Sequence, residues 1–354
     1  MTLNERVLAF AKLADFMLAT ANEDIDNIDR NLINEYHSLN ELIKTLKIYN
    51  PWFIEPFVRN QLKSLALVMT KEKIDSWILP YAEKIDNITS KRVGVIMAGN
   101  IALVGFHDFV SVLLAGHHFV GKISSKDEHL PKKIAEILVK IEPKFSDKIT
   151  FLSGKLENYN AVIATGSNNS ARYFEYYFSK VPHIIRTSRN SLAVLNGNES
   201  KQDLENLADD MLLYFGLGCR NISKVFVPKN YKFDFLFEAI YKHRDLFNHN
   251  KYANNYDYNR AIFLMNRVDF LENGFFIIKP DFSLASPVSV LHYEYYEDLE
   301  IVSKYIENQQ NALQCIVSNE KQIAENVLDF GTSQIPELFD YEDGINTIEF
   351  LTEI

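Results

Sequence analysis

From residue 5 to about residue 90, apolar positions recur at helical spacing: Val7, Phe10, Leu13 and Met17, then Leu39, Leu42 and Leu46, then Phe57, Leu62 and Leu65. Side chains three and four apart share one face of a helix, so this spacing predicts amphipathic helices. Pro51 and Pro80 punctuate them, and the segment is expected to cover one side of a sheet. After Lys91 the rhythm changes to short apolar strands at 93–97, 119–123, 150–152, 161–164 and 183–185. Helices are expected between them at about 104–115, from Pro131 onward and at 170–178, with Gly116 as a stop signal. A second such unit follows Thr187: a strand at 192–195, a helix at 203–214, a strand at 225–227, a helix at about 233–241, aromatic strands near 275–278 and 288–293, and a closing helix in the tail 343–351. Strand and helix in alternation give a parallel sheet with helices on both faces.

Such sheets bind ligands at the carboxyl ends of their strands, and the polar turns fall there. Met97-Ala98-Gly99-Asn100 follows the first strand, Lys122-Ile123-Ser124-Ser125-Lys126 ends the second, Ser153-Gly154-Lys155 the third and Thr165-Gly166-Ser167-Asn168-Asn169 the fourth. Any one of these is an ordinary strand-to-helix turn. Four on one edge supply backbone N–H groups, helix N-termini and positive charge suited to a dinucleotide.

At 354 residues the chain exceeds a usual single core, so two lobes are expected, with a boundary near 187–190. With 47% hydrophobic and 24% charged residues, neither disorder nor a membrane class fits. The net charge of −10 carries no basic block, which argues against a nucleic-acid partner. The longest apolar stretch, 93–120, is broken by Asn100, His107, Asp108, His117 and His118, so it cannot span a membrane. Two cysteines make no disulfide framework, and no signal-peptide block opens the chain; a reducing, cytoplasmic setting is expected.

Cys219 carries the candidate chemistry. It stands in Gly216-Leu217-Gly218-Cys219-Arg220-Asn221, between a helix and a strand, where flexible glycines present a thiol on rigid supports. Arg220 beside it is expected to favour the thiolate. A buried thiol of core packing is the competing reading, and it is the one given to Cys315, whose neighbours Leu313 and Val317 alternate with polar residues. His107, His117, His118 and His183 lack metal-ligand spacing and are read as structural or surface, so no metal is expected. The aromatic residues Tyr173, Phe174, Tyr176, Tyr177 and Phe178 are expected in the core. Residues 251–259, rich in amides and phenols, are expected to form a hydrogen-bonded surface loop.

In order and spacing, Gly94 to Asn100, Gly121-Lys122-Ile123-Ser124-Ser125, Ala164-Thr165-Gly166-Ser167, Gly216-Leu217-Gly218-Cys219, Ser286-Pro287-Val288 and Phe330-Gly331 resemble the aldehyde dehydrogenase superfamily. The resemblance is closest to its LuxC-like acyl-CoA reductase branch and runs from about Gly94 to the C-terminus. It implies an α/β, aldehyde dehydrogenase-like fold of two lobes with parallel sheets and a helical N-terminal segment. Residues 1–90 would pack on the cofactor domain, residues 91–188 would form an NAD(P)-binding domain, and residues 189–354 a catalytic domain. Cys219 then occupies the place of the acyl-accepting nucleophile and Asn100 that of the oxyanion-holding amide. Met97, Ala98, Gly99, Lys122, Ser124, Ser125, Gly154, Thr165, Gly166 and Ser167 occupy cofactor-contacting places.

The departures also inform. Residues 185–188 lack the glutamate with which hydrolytic members activate water, which favours reduction of the thioester or its return to a thiol. Ser125 followed by Lys126 stands where NAD-selective members bind the ribose 2′-hydroxyl through an acid, so a 2′-phosphate and NADPH fit. Ser283 stands where many members carry a second ribose-binding glutamate. The implied function is NADPH-dependent reduction of a long-chain fatty acyl-CoA, or of an acyl thioester on a partner protein, to the aldehyde. A CoA-acylating or oxidative aldehyde dehydrogenase and a non-catalytic nucleotide-binding scaffold stay as alternatives, and acyl length and homo-oligomerisation stay open.

Overall fold

A computed structural model describes residues 1–354, and the chain divides into two units: Met1–Thr187 with Ile335–Ile354, and Ser188–Gln334. No helix in either is long and apolar enough to cross a membrane.

The first unit opens with α1 (Leu3–Ala21), α2 (Ile33–Tyr49), α3 (Glu55–Val68), α4 (Lys71–Ile78) and α5 (Ala82–Asp86). Thr2 starts α1 through a capping box with Glu5, each side chain bonding the other's backbone N–H. The stripe read from the sequence is the buried one: Phe10, Leu13 and Met17 are sealed, and Phe10 meets Phe109 and Phe145 edge-on at centroid distances of 6.2 and 5.7 Å. Each such side chain contributes about 1.5–3 kcal/mol through burial. Helix α1 therefore lies against α6 (Phe106–Leu114) and α7 (His129–Ile141), which flank the sheet.

That sheet comprises β1 (Arg92–Ile96), β2 (His118–Lys122), β3 (Ile149–Leu152), β4 (Ala161–Thr165) and β5 (His183–Arg186), with α8 (Asn168–Phe178) between the last two. Its order is β3-β2-β1-β4-β5 and every pair is parallel. Val93, Gly94 and Val95 are buried on both faces of β1, as central parallel strands require. Gly116, at φ +90°, ends the α6 segment in a left-handed conformation that residues with a side chain resist. Pro131 is the third residue of α7 and not the first, because the helix opens at His129.

The expectation that 189–354 form one domain is corrected at its end. Residues Ile335–Ile354, including α13 (Thr347–Glu353), return to the first unit. Buried polar bonds hold them there: His117 meets the Leu351 carbonyl at 2.8 Å, and Trp77 donates to the Tyr341 hydroxyl at 2.8 Å. Arg186, fully buried, reaches Asp108 at 2.6 Å, Glu342 at 2.9 Å and the Thr347 hydroxyl at 2.8 Å.

The second unit contains β6 (Asn190–Val194), α9 (Lys201–Leu212), β7 (Ile222–Pro228), α10 (Asp234–Ile240), α11 (Asn250–Met265), β8 (Leu271–Glu272), β9 (Ile277–Pro280), β10 (Val290–Tyr296), α12 (Leu299–Gln309), β11 (Leu313–Ser318) and β12 (Val327–Leu328). The sheet order is β12-β11-β6-β7-β10-β9-β8, parallel throughout except for the β8–β9 pair. Residues 251–259 are not a loop but the body of α11, which His249 caps by accepting the Tyr252 N–H at 3.3 Å. Tyr252, Tyr256 and Asn259 fall at helical spacing and are its buried face, so phenols and an amide form the inward stripe. The aromatic residues of α8 also differ from expectation. Phe178 is buried, whereas Tyr173, Tyr176 and Tyr177 project from the surface.

Candidate active site

Because all five strands of the first sheet run parallel, the turns after them share one edge. Strand β1 pairs with β2 on one side and β4 on the other, so the chain departs in opposite directions after β1 and β4 and leaves a crevice there. Met97, Ala98, Gly99 and Asn100 leave β1 at this point, and Thr165, Gly166 and Ser167 lead from β4 into α8. Ser167 caps α8, its hydroxyl accepting the Ser170 N–H at 3.2 Å. On the β2 side, the Met97 N–H donates to the Lys122 carbonyl at 3.0 Å, and Ser124 and Ser125 follow. Gly154, after β3, is exposed at the far side with open space around its α-carbon.

The glycines have physical reasons. A Cβ on Gly99 would lie 2.6 Å from the Ser124 hydroxyl, and one on Gly166 would lie 2.9 Å from the Phe174 ring. Backbone and hydroxyl can approach closely there only without a side chain. The strand-end turns offer hydroxyls and the ammonium groups of Lys122, Lys126 and Lys155, and the carboxyl that closes the β2 turn, Asp127, is buried. That donor set fits the phosphates of a dinucleotide.

In the second unit, Cys219 is exposed. Helix α9 ends at Leu212, and Tyr214, Phe215 and Gly216 then adopt left-handed conformations in succession, at φ 54°, 59° and 72°. Each non-glycine residue so placed costs about 1–2 kcal/mol, a strain that packing has to offset. Phe215 is buried against His249 and Tyr252, at centroid distances of 4.6 and 5.9 Å. The start of α11 thus supports the approach to the thiol.

Buried polar side chains fix the rest of the turn. Asn221 accepts the Gly218 N–H at 2.8 Å, and its own N–H reaches the Gly218 carbonyl at 3.1 Å. The Cys219 carbonyl accepts the Ser191 hydroxyl at 2.8 Å, and the Ser191 oxygen takes the Cys315 N–H at 3.0 Å. Asp210, in the last turn of α9, accepts the N–H of Gly331 at 2.6 Å and the N–H and hydroxyl of Ser333 at 3.1 and 2.6 Å. Burial nevertheless pushes its carboxyl up to about 6.

Sequence reasoning placed Cys219, Gly218 and Asn221 in one turn but missed Ser191, Asp210 and Ser333, which are brought there by the fold with no local signature. Arg220, beside Cys219 in the chain, also places its Nη1 3.2 Å from Cys315 Sγ and 3.4 Å from the Ser333 carbonyl. Cys315 itself is buried in β11.

The returning tail also bears on the end of β5. Residues 185–188 contain no carboxylate, yet the returning tail brings two: Glu342 pairs with Arg186, and Asp343 accepts the Thr187 N–H at 3.2 Å. The four histidines singled out from the sequence bond backbone carbonyls, those of Leu338, Leu351, Asp147 and Val181 for His107, His117, His118 and His183 respectively. Ser283 is exposed after β9, its carbonyl 3.0 Å from the His292 ring.

A family model described as acyl-CoA reductase (LuxC) matches residues 5–236, more than half of the chain. The protein belongs to the LuxC acyl-CoA reductase family. No curated protein matches the sequence. Among solved structures, aldehyde dehydrogenase 21 from Physcomitrella patens, determined with the product succinate, is similar at TM-score 0.66 and 12% identity, covering 99% of this chain and 88% of that one. An NAD-dependent aldehyde dehydrogenase from Sinorhizobium meliloti matches at 0.62 and 14%, covering 93% and 74%. An NADP-dependent enzyme from E. coli matches at 0.60 and 12%, covering 98% and 79%. At such identities these neighbours show the fold, which is that of aldehyde dehydrogenases. LuxC membership and this fold together support an aldehyde-related oxidoreductase activity that uses a nicotinamide cofactor.

Proposed function

We propose that this LuxC-family protein reduces a long-chain fatty acyl thioester, acyl-CoA or an acylated partner protein, to the aldehyde with NADPH, by way of a thioacyl group on Cys219. The observation that carries the reading is an exposed thiol on a strained turn that buried polar side chains hold in place. Strain retained by surrounding packing is a mark of functional sites.

The Cys219 sulfur attacks the acyl carbonyl, forming a C–S bond, and the departing thiolate takes a proton as the carbonyl re-forms. One thioester replaces another, so little driving force is needed. Charge collects meanwhile on the carbonyl oxygen, and the reading gives its stabilisation to the Asn100 amide, worth ~3 kcal/mol if it matches other oxyanion donors. Lys122, Ser124, Ser125, Thr165, Gly166 and Ser167, with the Met97 to Gly99 backbone and Gly154 at the rim, would hold NADPH, whose chemistry is delivery of a hydride to the thioacyl carbon. The Cys219 sulfur then leaves the resulting thiohemiacetal and the aldehyde is released. Ser125 and Lys126 at the end of β2 support NADPH over NADH, since the one acid within that turn, Asp127, is buried and leaves Lys126 exposed to meet a 2′-phosphate.

The test is purified protein with long-chain acyl-CoA and NADPH, followed by cofactor absorbance and by intact-protein mass. The reading expects turnover, an acyl adduct on the wild type and neither in Cys219→Ala. Turnover by the alanine variant removes the covalent mechanism. Faster reaction with aldehyde, NADP and CoA than with acyl-CoA makes the protein an oxidative, CoA-acylating enzyme. A folded wild type with an unreactive Cys219 makes it a scaffold.

A further inference from the structure

Asp127 is a buried carboxylate with no role in the reading above and only 3% of its surface exposed. It closes the turn that begins at Ser124: its N–H donates to the Ser124 carbonyl at 3.0 Å, and the Lys126 N–H donates to the Ser124 hydroxyl at 3.2 Å. From behind, the Asn50 amide holds the Lys126 carbonyl at 3.2 Å. The turn is therefore fixed to the body of the first unit.

The same turn touches the β1–α6 loop on both sides of Asn100. Before Asn100, the α-carbon of Gly99 is pressed so close that a Cβ would lie 2.6 Å from the Ser124 hydroxyl and 3.1 Å from the Lys126 Cβ. After it, Asp127 Oδ2 accepts the N–H of Leu103 at 2.7 Å. Leu103 is buried and left-handed at φ 57°, a conformation its side chain disfavours, and its carbonyl takes the Phe106 N–H as α6 begins. A buried acceptor aimed at that one N–H offsets the strain. Asp127 Oδ1 has no hydrogen-bond partner, so the carboxylate is buried for this single bond. Burial also raises its pKa, as expected of a carboxyl held far from solvent.

We infer that Asp127 is a positioning residue: it clamps the loop carrying Asn100 onto the turn that carries Ser124 and Ser125, so that oxyanion donor and cofactor contacts move as one piece. This rests on the oxyanion role proposed for Asn100. Asp127 touches neither substrate nor cofactor in this account, and acts through the Leu103 backbone.

Two readouts separate the clamp from the chemistry. The first is amide hydrogen exchange across 98–106, with α1 as internal reference. The second is the single-turnover rate of Cys219 acylation by saturating acyl-CoA, beside its alkylation by iodoacetamide, which builds no oxyanion. Asp127→Leu, similar in size but without an acceptor, should speed exchange in the loop alone and slow acylation by about tenfold or more. Alkylation should stay within about twofold of wild type. Asp127→Asn, which keeps an acceptor for Leu103, should restore both readouts. Should D127L fail to fold, Asp127→Ala is read the same way. Unchanged loop exchange in the acceptor-less variant overturns the clamp whatever the enzyme does. Faster exchange with unaltered acylation, or alkylation falling in step with acylation, overturns its positioning role. An Asn100→Ala variant that acylates at the wild-type rate instead overturns the function given to Asn100, with the exchange comparison standing separately.

Discussion

Asn221 grips Gly218 from within: its side-chain oxygen accepts the Gly218 N–H at 2.8 Å, while its amide nitrogen donates to the carbonyls of Asp210 and Leu213 at 3.0 and 2.9 Å. One buried amide ties the Cys219 turn to the end of α9.

Asn221→Asp keeps this shape but sets a carboxylate against two carbonyl oxygens. We predict a loss of about 2–4 kcal/mol in stability, read by urea denaturation. Where the variant is folded, kcat should fall about tenfold with the acyl-CoA KM little changed, because the thiol is misplaced and not lost. A KM effect with unaltered kcat would contradict the role.

Burial pushes the Asp127 carboxyl up to about 7, whereas in the unfolded chain it titrates near 4. Between those values the folded state binds the extra proton, so this group's contribution is fully present below about pH 4 and is lost as pH rises through 7. Asp127→Asn does not titrate. Its stability relative to wild type should therefore grow with pH, reaching about 2–4 kcal/mol in favour of the variant at pH 8. Urea midpoints at pH 5 and pH 8 give the comparison, and an advantage that shrinks with rising pH contradicts it.

Ser125 and Lys126 are exposed, so changing them should leave the fold alone. Ser125→Glu adds an exposed acid to the turn after β2, where it can accept from a ribose hydroxyl and repel a 2′-phosphate. The ratio of kcat/KM for NADPH to that for NADH should drop by about tenfold or more. An unchanged ratio would move the 2′-phosphate contact elsewhere.

Arg186→Met would strand Asp108 and Glu342 near a hydrocarbon side chain. Removing one partner of a buried ion cluster costs about 3–5 kcal/mol. Adding Asp108→Asn should recover part of that loss, and hydrogen exchange in α13 should rise first, since Thr347 loses its donor too. Equal stability of the single and double variants would argue against coupling.

The parallel sheets were legible because their signal is local. Val93 to Val95 and Ala161 to Ala164 read as continuous apolar runs since they are buried on both faces, and Gly116 marks a left-handed stop. The placing of the Gly216–Asn221 turn between a helix and a strand was legible through its glycines, whereas the grip of Asn221 on it was not.

What the sequence hid depends on distance or on disguised side chains. Arg186 is separated from Thr347 by 161 residues, and pairing between single charges leaves no periodic trace. The contact between Arg220 and Cys315 was likewise hidden, since 95 residues separate them. Helix α11 hid because Tyr252, Tyr256 and Asn259 bury rings and an amide where aliphatic residues would have shown the stripe. Tyr214 and Phe215 gave no warning of left-handed backbone, a role usually filled by glycine or asparagine.

The return of residues Ile335–Ile354 to the first unit has a consequence for biosynthesis. As the polypeptide emerges from the ribosome, Ser188–Gln334 is complete as a contiguous stretch before the earlier unit has received Glu342 and Thr347. At ordinary elongation rates Arg186 waits on the order of ten seconds for those partners. The part of the molecule translated first is thus the part whose folding finishes last, and through that interval the Arg186 guanidinium has Asp108 as its anion but neither Glu342 nor Thr347 to complete its shell.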